Sequence, residues 1–400
     1  LKNIHVIVAT GEWGQDRLRY RRHRLAEFLR ALPETKEVIW LCPAPNQSEE
    51  SLTALPNGIK QWTVRDLFPH NVFRFGRYMD RFYKKKIQAF LKGLKDSHTP
   101  YNWNLWYTFP GFPLLADLFP WDKVIYDCSD LWASPISGAK SPLSAVRQNI
   151  ISAAEKRIIQ RADFIFCTSD HLRDQVINKL AGGRSDHVHT IENGVEFDLF
   201  ARKKAQKENV IPDGFNGTVL GFIGGIKPKL DLALIRKAAQ HKRNWLFLFV
   251  GPDGTNGHED FKKLLNEKNV LWTGSVNPFE VPEYMNVIDI GIMPYKPSPY
   301  NQAVFPLKLF EFLAAGKAVV GMHLPSTSKY AEESVYAHLE SDHYEDFIAA
   351  CEKLELNKSD KGLEQKRKEL AKTRNWEDLF KRMMELVQTG KENRTQKQVL

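Results

Sequence analysis

Short apolar runs alternate with helix-length amphipathic segments through almost the whole chain, and this alternation constrains the fold more than any other feature. Strands buried on both faces and separated by helices are the signature of βαβ units around parallel sheets. In the first half the strand candidates are Ile4–Ala9, Glu37–Leu41, Leu105–Thr108, Lys123–Asp127, Phe164–Thr168 and His187–Ile191. A second series follows at Thr218–Ile223, Trp245–Val250, Val270–Thr273, Ile288–Pro294 and Ala318–Gly321. Helices are expected at Arg17–Ala31, Ser144–Arg161, Leu230–Ala239, Glu259–Asn266 and Leu307–Ala315. The polar, turn-rich stretch Arg202–Asn216 reads as a linker. The pattern predicts an α/β protein with one Rossmann-like domain at 1–204 and a second at 205–375. The segment 376–400 is expected to be a helix crossing back to the first domain, because Trp376, Leu379, Phe380, Met383, Leu386 and Val387 recur at helical spacing. Two such domains would face their strand ends toward a common cleft, where open α/β sheets bind ligands.

Composition removes several classes. The 400 residues are 42% hydrophobic and 26% charged, too apolar for disorder. The four cysteines, Cys42, Cys128, Cys167 and Cys351, have no C-x-x-C spacing, which argues against a disulfide framework or a thiolate zinc site and suits a reducing cytoplasm. The first strand begins almost at residue 1, so no signal peptide is expected. The longest charge-free stretch, Ser97–Ala116, is broken by Pro100, Pro110 and Pro113, so no spanning helix is expected there. A formal net charge of +9 favours anionic partners without choosing among phosphates, nucleic acid and an acidic membrane surface.

The most informative segment is Tyr295–Gly321, in which a strand, a loop, a helix from about Pro306 and a second buried strand follow in order. Proline suits a first helical turn, and a helix start offers unpaired N–H groups to an anion. Lys308 in that turn adds a full charge where the helix dipole discourages a cation unless an anion is bound. Glu311 lies one turn on and is placed to accept from ribose hydroxyls. The same two residues also read as an i,i+3 surface ion pair. Gly224-Gly225 ends a strand, where the missing side chains let a phosphate approach the backbone; a plain tight turn fits as well. Position 250 is Val250, followed by Gly251-Pro252, so the acidic residue of a dinucleotide site is missing. Lys227 and Lys229 read as solvated loop lysines or as partners for a sugar carboxylate.

The run PLKLFEFLAAGK (306–317) resembles the donor-binding signature of GT-B glycosyltransferases. The resemblance extends along the chain through Ile191–Val195, Gly221–Gly225 and Phe249–Pro252. GEWGQDRLRYRRHRLAEFL, YDCSDLWASPISG and GFIGGIKPKLD are similar to the glycosyltransferase family of teichuronic acid biosynthesis in Gram-positive bacteria, and more distantly to the xanthan glucuronosyltransferase family. The resemblance implies a GT-B fold and a UDP-sugar donor held by Gly224, Gly225, Gly251, Tyr295, Leu307, Lys308 and Glu311. Uracil would lie against the Gly274–Pro282 loop. It implies glucuronic acid, from UDP-glucuronate, as the transferred sugar and an undecaprenyl-diphosphate-linked acceptor. Many retaining GT-B enzymes carry two glutamates seven residues apart; the first would fall on Ala303, which points to inversion.

Inversion needs a base at the acceptor hydroxyl. In YDCSDLW (126–132) Asp127 sits at a strand end and Asp130 further into the loop, so Asp130 is the expected base, with Glu192 and Asp170 behind it. Both aspartates also read as turn-stabilising residues. Nothing here has the D-x-D spacing of a metal–diphosphate grip, and no metal or other cofactor is expected. Two basic segments remain. Arg21, Arg22 and Arg24 follow the first strand, and Phe73–Leu94 interleaves Arg77, Arg81 and Lys84–Lys86 with Ile87, Phe90 and Leu94. They read as contacts for an acceptor diphosphate or an anionic bilayer, or as a core-facing helix with a solvated basic side. The sequence thus predicts a cytoplasmic enzyme attached to the inner membrane face. A retaining transferase, a UDP-sugar epimerase and a basic nucleic-acid-binding protein are the rivals; no RNA-binding signature or helix-turn-helix supports the last.

Overall fold

A computed structural model describes residues 1–14, 19–43, 51–64, 76–78, 81, 84–95, 100–136, 142–180, 182–202 and 205–397. The chain divides into two compact units: Leu1–Pro135, Ala139–Glu192 and Phe380–Leu400 form the first, and Asn193–Leu379 the second.

The first unit is built on β1 (Asn3–Val8), β2 (Thr35–Pro43), β3 (Ser51–Ala54), β4 (Lys60–Val64), β5 (Asn102–Tyr107), β6 (Lys123–Cys128), β7 (Phe164–Cys167) and β8 (Val188–Thr190). Their order is β3-β4-β2-β1-β5-β6-β7-β8, parallel except for β3 at the edge. The apolar runs form these strands because their residues are covered on both sides; Val6, Ile7 and Val8 in β1 have no exposed surface. The strand order reverses between β1 and β5, which pair from Asn3↔Asn102 to Val8↔Tyr107.

The second unit carries β9 (Thr218–Ile223), β10 (Trp245–Val250), β11 (Val270–Trp272), β12 (Ile290–Pro294), β13 (Ala318–Met322) and β14 (Tyr336–Leu339). All are parallel, in the order β11-β10-β9-β12-β13-β14, with the reversal between β9 and β12. Gly221 is needed beside that reversal, because a Cβ there would lie 2.2 Å from the Ile288 side chain. The buried Arg367 closes the far side by donating to the carbonyls of Gly316 and Ser334 at 2.6–3.1 Å.

The expected junction at 204/205 lies instead at Glu192/Asn193. Val195 is stitched into the second unit, donating to the Arg374 carbonyl at 2.9 Å and accepting from Trp376 N–H at 3.2 Å. A short helix, Phe197–Ala201, follows before the polar stretch taken for the linker. The last helix, Trp376–Lys397, begins in the second unit and belongs to the first from Phe380 onward. There Phe380 packs on Phe28 with ring centroids 5.4 Å apart. Among the described residues no helix is long and apolar enough to cross a membrane.

Candidate active site

In the second unit the strand reversal brings the carboxyl ends of β9 and β12 together, and the predicted donor residues gather there. Gly224 follows β9 with φ +146°, and its N–H donates to the Val250 carbonyl at 2.8 Å. Gly251 follows β10 with φ +138°; a Cβ on it would sit 2.1 Å from the Gly224 oxygen. Only glycine permits both the backbone angle and that approach. Gly225, half-buried, leads into Ile226, which donates to the Pro252 carbonyl at 3.0 Å.

The helix expected from Pro306 starts at Lys308, with Leu307 as its half-buried N-cap. Pro306 therefore precedes the helix and does not occupy its first turn. Leu309, Phe310, Phe312 and Leu313 drive the helix into the core, and Phe312 packs where a side chain on Gly291 of β12 would otherwise stand. That burial fixes Lys308 on the open side. Its Cε lies 3.8 Å from where a Gly224 Cβ would be, and its ammonium is 2.5 Å from Glu311 Oε2. The pair is the i,i+3 ion pair that the spacing allowed, but it is not a solvated one: the side chains are 21% and 4% exposed.

Tyr295, at the end of β12, is 5% exposed. The Lys229 ammonium stands 4.9 Å from its ring centroid and 5.7 Å from that of Tyr300. Lys229 is therefore a half-buried cation between two aromatic faces, not the solvated loop lysine of one reading. Asn301, with no exposed surface, ties the two loops by donating to the carbonyls of Lys229 at 3.1 Å and Lys296 at 2.7 Å. Sequence reasoning missed Asn301; its place just after a Ser-Pro helix start was the available signal. Ala303, where a retaining enzyme's first glutamate would fall, is wholly buried. In the Gly274–Pro282 loop, Gly274 takes φ +73° and accepts from Gly251 N–H at 2.9 Å, and Phe279 is exposed.

In the first unit, Asp127 and Arg21 form a sealed pair. Arg21 Nε donates to both Asp127 oxygens at 2.9 and 3.0 Å, and the two side chains are 4% and 1% exposed. Arg21 Nη1 also donates to the Glu192 carbonyl at 3.0 Å, and Nη2 meets Met383 Sδ at 3.3 Å. This overturns Arg21 as an acceptor or membrane contact, because its guanidinium is consumed inside the unit. Arg24 is likewise buried and donates to the Arg19 carbonyl. Arg77 is half-buried and donates to the Thr10 carbonyl at 3.2 Å. Neither lies open to a bilayer. Arg22 is half-buried with its guanidinium 4.5 Å from the Tyr20 ring centroid, and Arg81 is exposed.

Asp130 stands two residues beyond β6, half-buried in a bend. Of the fallbacks, Glu192 is buried, and Asp170 is exposed and accepts from the Thr190 hydroxyl at 2.7 Å. Arg17, Arg74, Phe73, Phe75, Met79 and Phe82, and the side chain of Lys86, lie outside the described residues. The helix Lys84–Lys95 turns Ile87 and Leu91 inward and stacks Phe90 on Trp62 with centroids 3.5 Å apart. Its apolar side is thus spent on its own core, as in the core-facing reading of this segment; Lys84, Lys85 and Lys92 remain exposed.

His23 is the centre of an aromatic group missed by sequence reasoning, with Trp13 at 4.8 Å and Trp40 at 5.0 Å between ring centroids. Burial first, and then Arg22, Arg24 and Arg19, push its pKa down to about 3.

Comparison with known proteins supplies family and fold. The model for "Glycosyl transferases group 1" matches residues 217–357. The chain is 57% identical over 386 residues to "Putative teichuronic acid biosynthesis glycosyltransferase TuaH" of Bacillus subtilis (strain 168), covering 95% of this chain and 96% of that protein. Sucrose-phosphate synthase from Thermosynechococcus elongatus superposes with a TM-score of 0.74 at 13% identity, over 97% of this chain and 99% of that one. HepE of Anabaena, in complex with UDP and glucose, superposes with a TM-score of 0.68 at 15% identity, over 97% and 100%. At such identities these structures speak for the fold, and two doubly wound sheets of the GT-B kind were what the sequence predicted.

Proposed function

This chain belongs to the GT-B glycosyltransferases, in the family of the teichuronic acid biosynthesis enzyme, and from that premise we propose that it moves glucuronic acid from UDP-glucuronate to an undecaprenyl-diphosphate-linked acceptor with inversion. The observation that carries the donor half is the Lys308 side chain, whose Cε lies beside Gly224 and whose ammonium pairs with a buried Glu311. A nucleoside diphosphate placed there meets a fixed cation and a side-chain-free turn; Glu311 receives ribose hydroxyls, and Tyr295 closes the side. UDP bound to HepE, a protein of the same fold, supports the nucleotide. Resemblance alone supports glucuronate.

In the proposed step the acceptor oxygen attacks the anomeric carbon, its proton passes to Asp130, and the bond from that carbon to the diphosphate oxygen breaks. Lys308 stabilises the charge that grows on the departing UDP, so no divalent ion is required and the rate is expected to persist in chelator. Support for Asp130 over Asp127 is that Arg21 already engages Asp127 in a bidentate pair. Buried Ala303 supports inversion, since no carboxylate occupies the place a retaining enzyme would use. Contact with the inner membrane face rests on Lys84, Lys85, Lys92 and Arg81, by charge and not by insertion.

A thermal-shift panel of UDP, UDP-glucuronate, UDP-N-acetylgalactosamine and UDP-glucose tests the donor. UDP and UDP-glucuronate should stabilise most, by mass action, and Lys308→Ala should abolish both shifts. No shift with UDP rejects the site; a larger shift with UDP-glucose rejects the sugar. Asp130→Asn should lower kcat by about 10²–10⁴-fold while leaving the UDP shift intact, and retention of most activity would reject inversion through this residue.

A further inference from the structure

A second polar site lies in the first unit at the amino ends of its strands, the opposite end of the sheet from Asp130. Asn3 and His5 on β1, Asn102, Asn104 and Trp106 on β5, and Lys123 and Ile125 on β6 alternate onto one face, and the pairing aligns Asn3 with Asn102, and Asn104 with both His5 and Lys123. A parallel sheet covered by a helix ordinarily presents valine, isoleucine and leucine there. Here a cavity of about 210 Å³ remains between these polar side chains and the last helix, which contributes Met384, Val387 and Gln388.

Its chemistry is incomplete from within. His5 is 1% exposed, and burial pushes its pKa down to about 4, so the ring is neutral near pH 7. Its Nδ1 accepts from Trp106 Nε1 at 3.1 Å, which leaves the proton on Nε2, and that buried atom has no hydrogen-bond partner among the described residues. Asn104, 7% exposed, lines the same cavity beside it. A buried polar group without a partner is costly, and His5 Nε2, set among amide side chains on a cavity wall, points to an occupant.

We propose that this cavity binds one uncharged hexose unit. The wall offers amides that both donate and accept, as a hydroxyl requires, with a histidine donor beside them. Asp122 and Lys123 cancel in charge, which disfavours phosphate and nucleotide. Trp106, Ile125 and Val387 supply apolar surface for ring C–H groups. The volume equals the share of about seven waters, room for a single pyranose and not for an oligosaccharide. Asp122 and Gln388 at the rim are exposed, so the sugar has an entry.

Ligand-observed saturation-transfer NMR on the whole protein, with UDP at saturation, tests this with glucose, N-acetylglucosamine, N-acetylgalactosamine and glucuronate. At least one neutral sugar should receive transfer that UDP does not displace, and glucuronate should bind at least threefold more weakly. Asn104→Leu, which fills and dries the wall, should reduce the signal at least tenfold. Gln388→Trp, at an exposed helical position over the mouth, should do the same without touching the core, and it decides the matter if the first variant does not fold. Absence of transfer from every sugar means the cavity holds only water, and the proposal fails. It also fails if the signal survives Gln388→Trp, if UDP displaces it, or if glucuronate outbinds the neutral sugars. Because the readout is a free sugar binding away from the donor site, it stands or falls separately from the transfer reaction.

Discussion

Each unit holds an ion pair beside the carboxyl ends of its sheet, and the two pairs have different fates. Arg21–Asp127 is closed in, with side chains 4% and 1% exposed and the two other guanidinium nitrogens donating to the Glu192 carbonyl and Met383. Lys308–Glu311 is closed only on the carboxylate side: Glu311 is 4% exposed and Lys308 is 21%. A pair with every direction filled organises its own unit. A pair with one face open has interaction capacity left for something that arrives later. Identical charges are thus sealed in one case and left partly open in the other, and burial of the cation makes the difference.

The largest test of that contrast is Arg21→Met, which strands the Asp127 carboxylate in the interior. It should cost about 3–5 kcal/mol, read as a fall in the denaturation midpoint, with Asp127→Asn added to Arg21→Met restoring part of the loss. If Arg21→Met is neutral, the pair does not organise the unit. Lys308→Ala should do the reverse. Water can reach Glu311 through the space vacated, so the stability cost should stay near 1–2 kcal/mol, while kcat/KM falls about 10²–10³-fold. A large loss of stability with activity preserved would erase the distinction. A third test is acid. His23 and His5 have pKa values depressed by burial to about 3 and about 4, so the folded first unit excludes protons that its unfolded chain binds below about 6.5. Their contribution is whole above that pH and is lost as pH falls from about 6.5 toward 3. The first unit should therefore loosen before the second on acidification, and tryptophan hydrogen exchange at Trp13 and Trp40 against Trp245 would reveal the order.

The sheets were legible because their strands are continuous apolar runs; Thr218–Ile223 and Trp245–Val250 coincide with β9 and β10. The missed strands do not look apolar. Ser51–Ala54 and Lys60–Val64 lie toward an edge, where alternation with polar residues is tolerated, and Tyr336–Leu339 is only four residues long. Lys308 and Glu311 were legible because partners one turn apart on a helix are adjacent in sequence. Arg21 was misread because its partner is 106 residues away and a run of arginines suggests solvent. Lys229 was misread as a loop lysine for the same reason: the rings that hold it, Tyr295 and Tyr300, come from a distant strand end.

The first unit is assembled from stretches far apart in the chain, with Phe380 and Met383 covering Arg21. During synthesis the second unit can therefore finish folding while the first still waits for its closing segment to leave the ribosome. The guanidinium that will be sealed against Asp127 stays wet until the segment from Phe380 docks, and a chain stopped before residue 380 would carry a complete second unit and an unfinished first one.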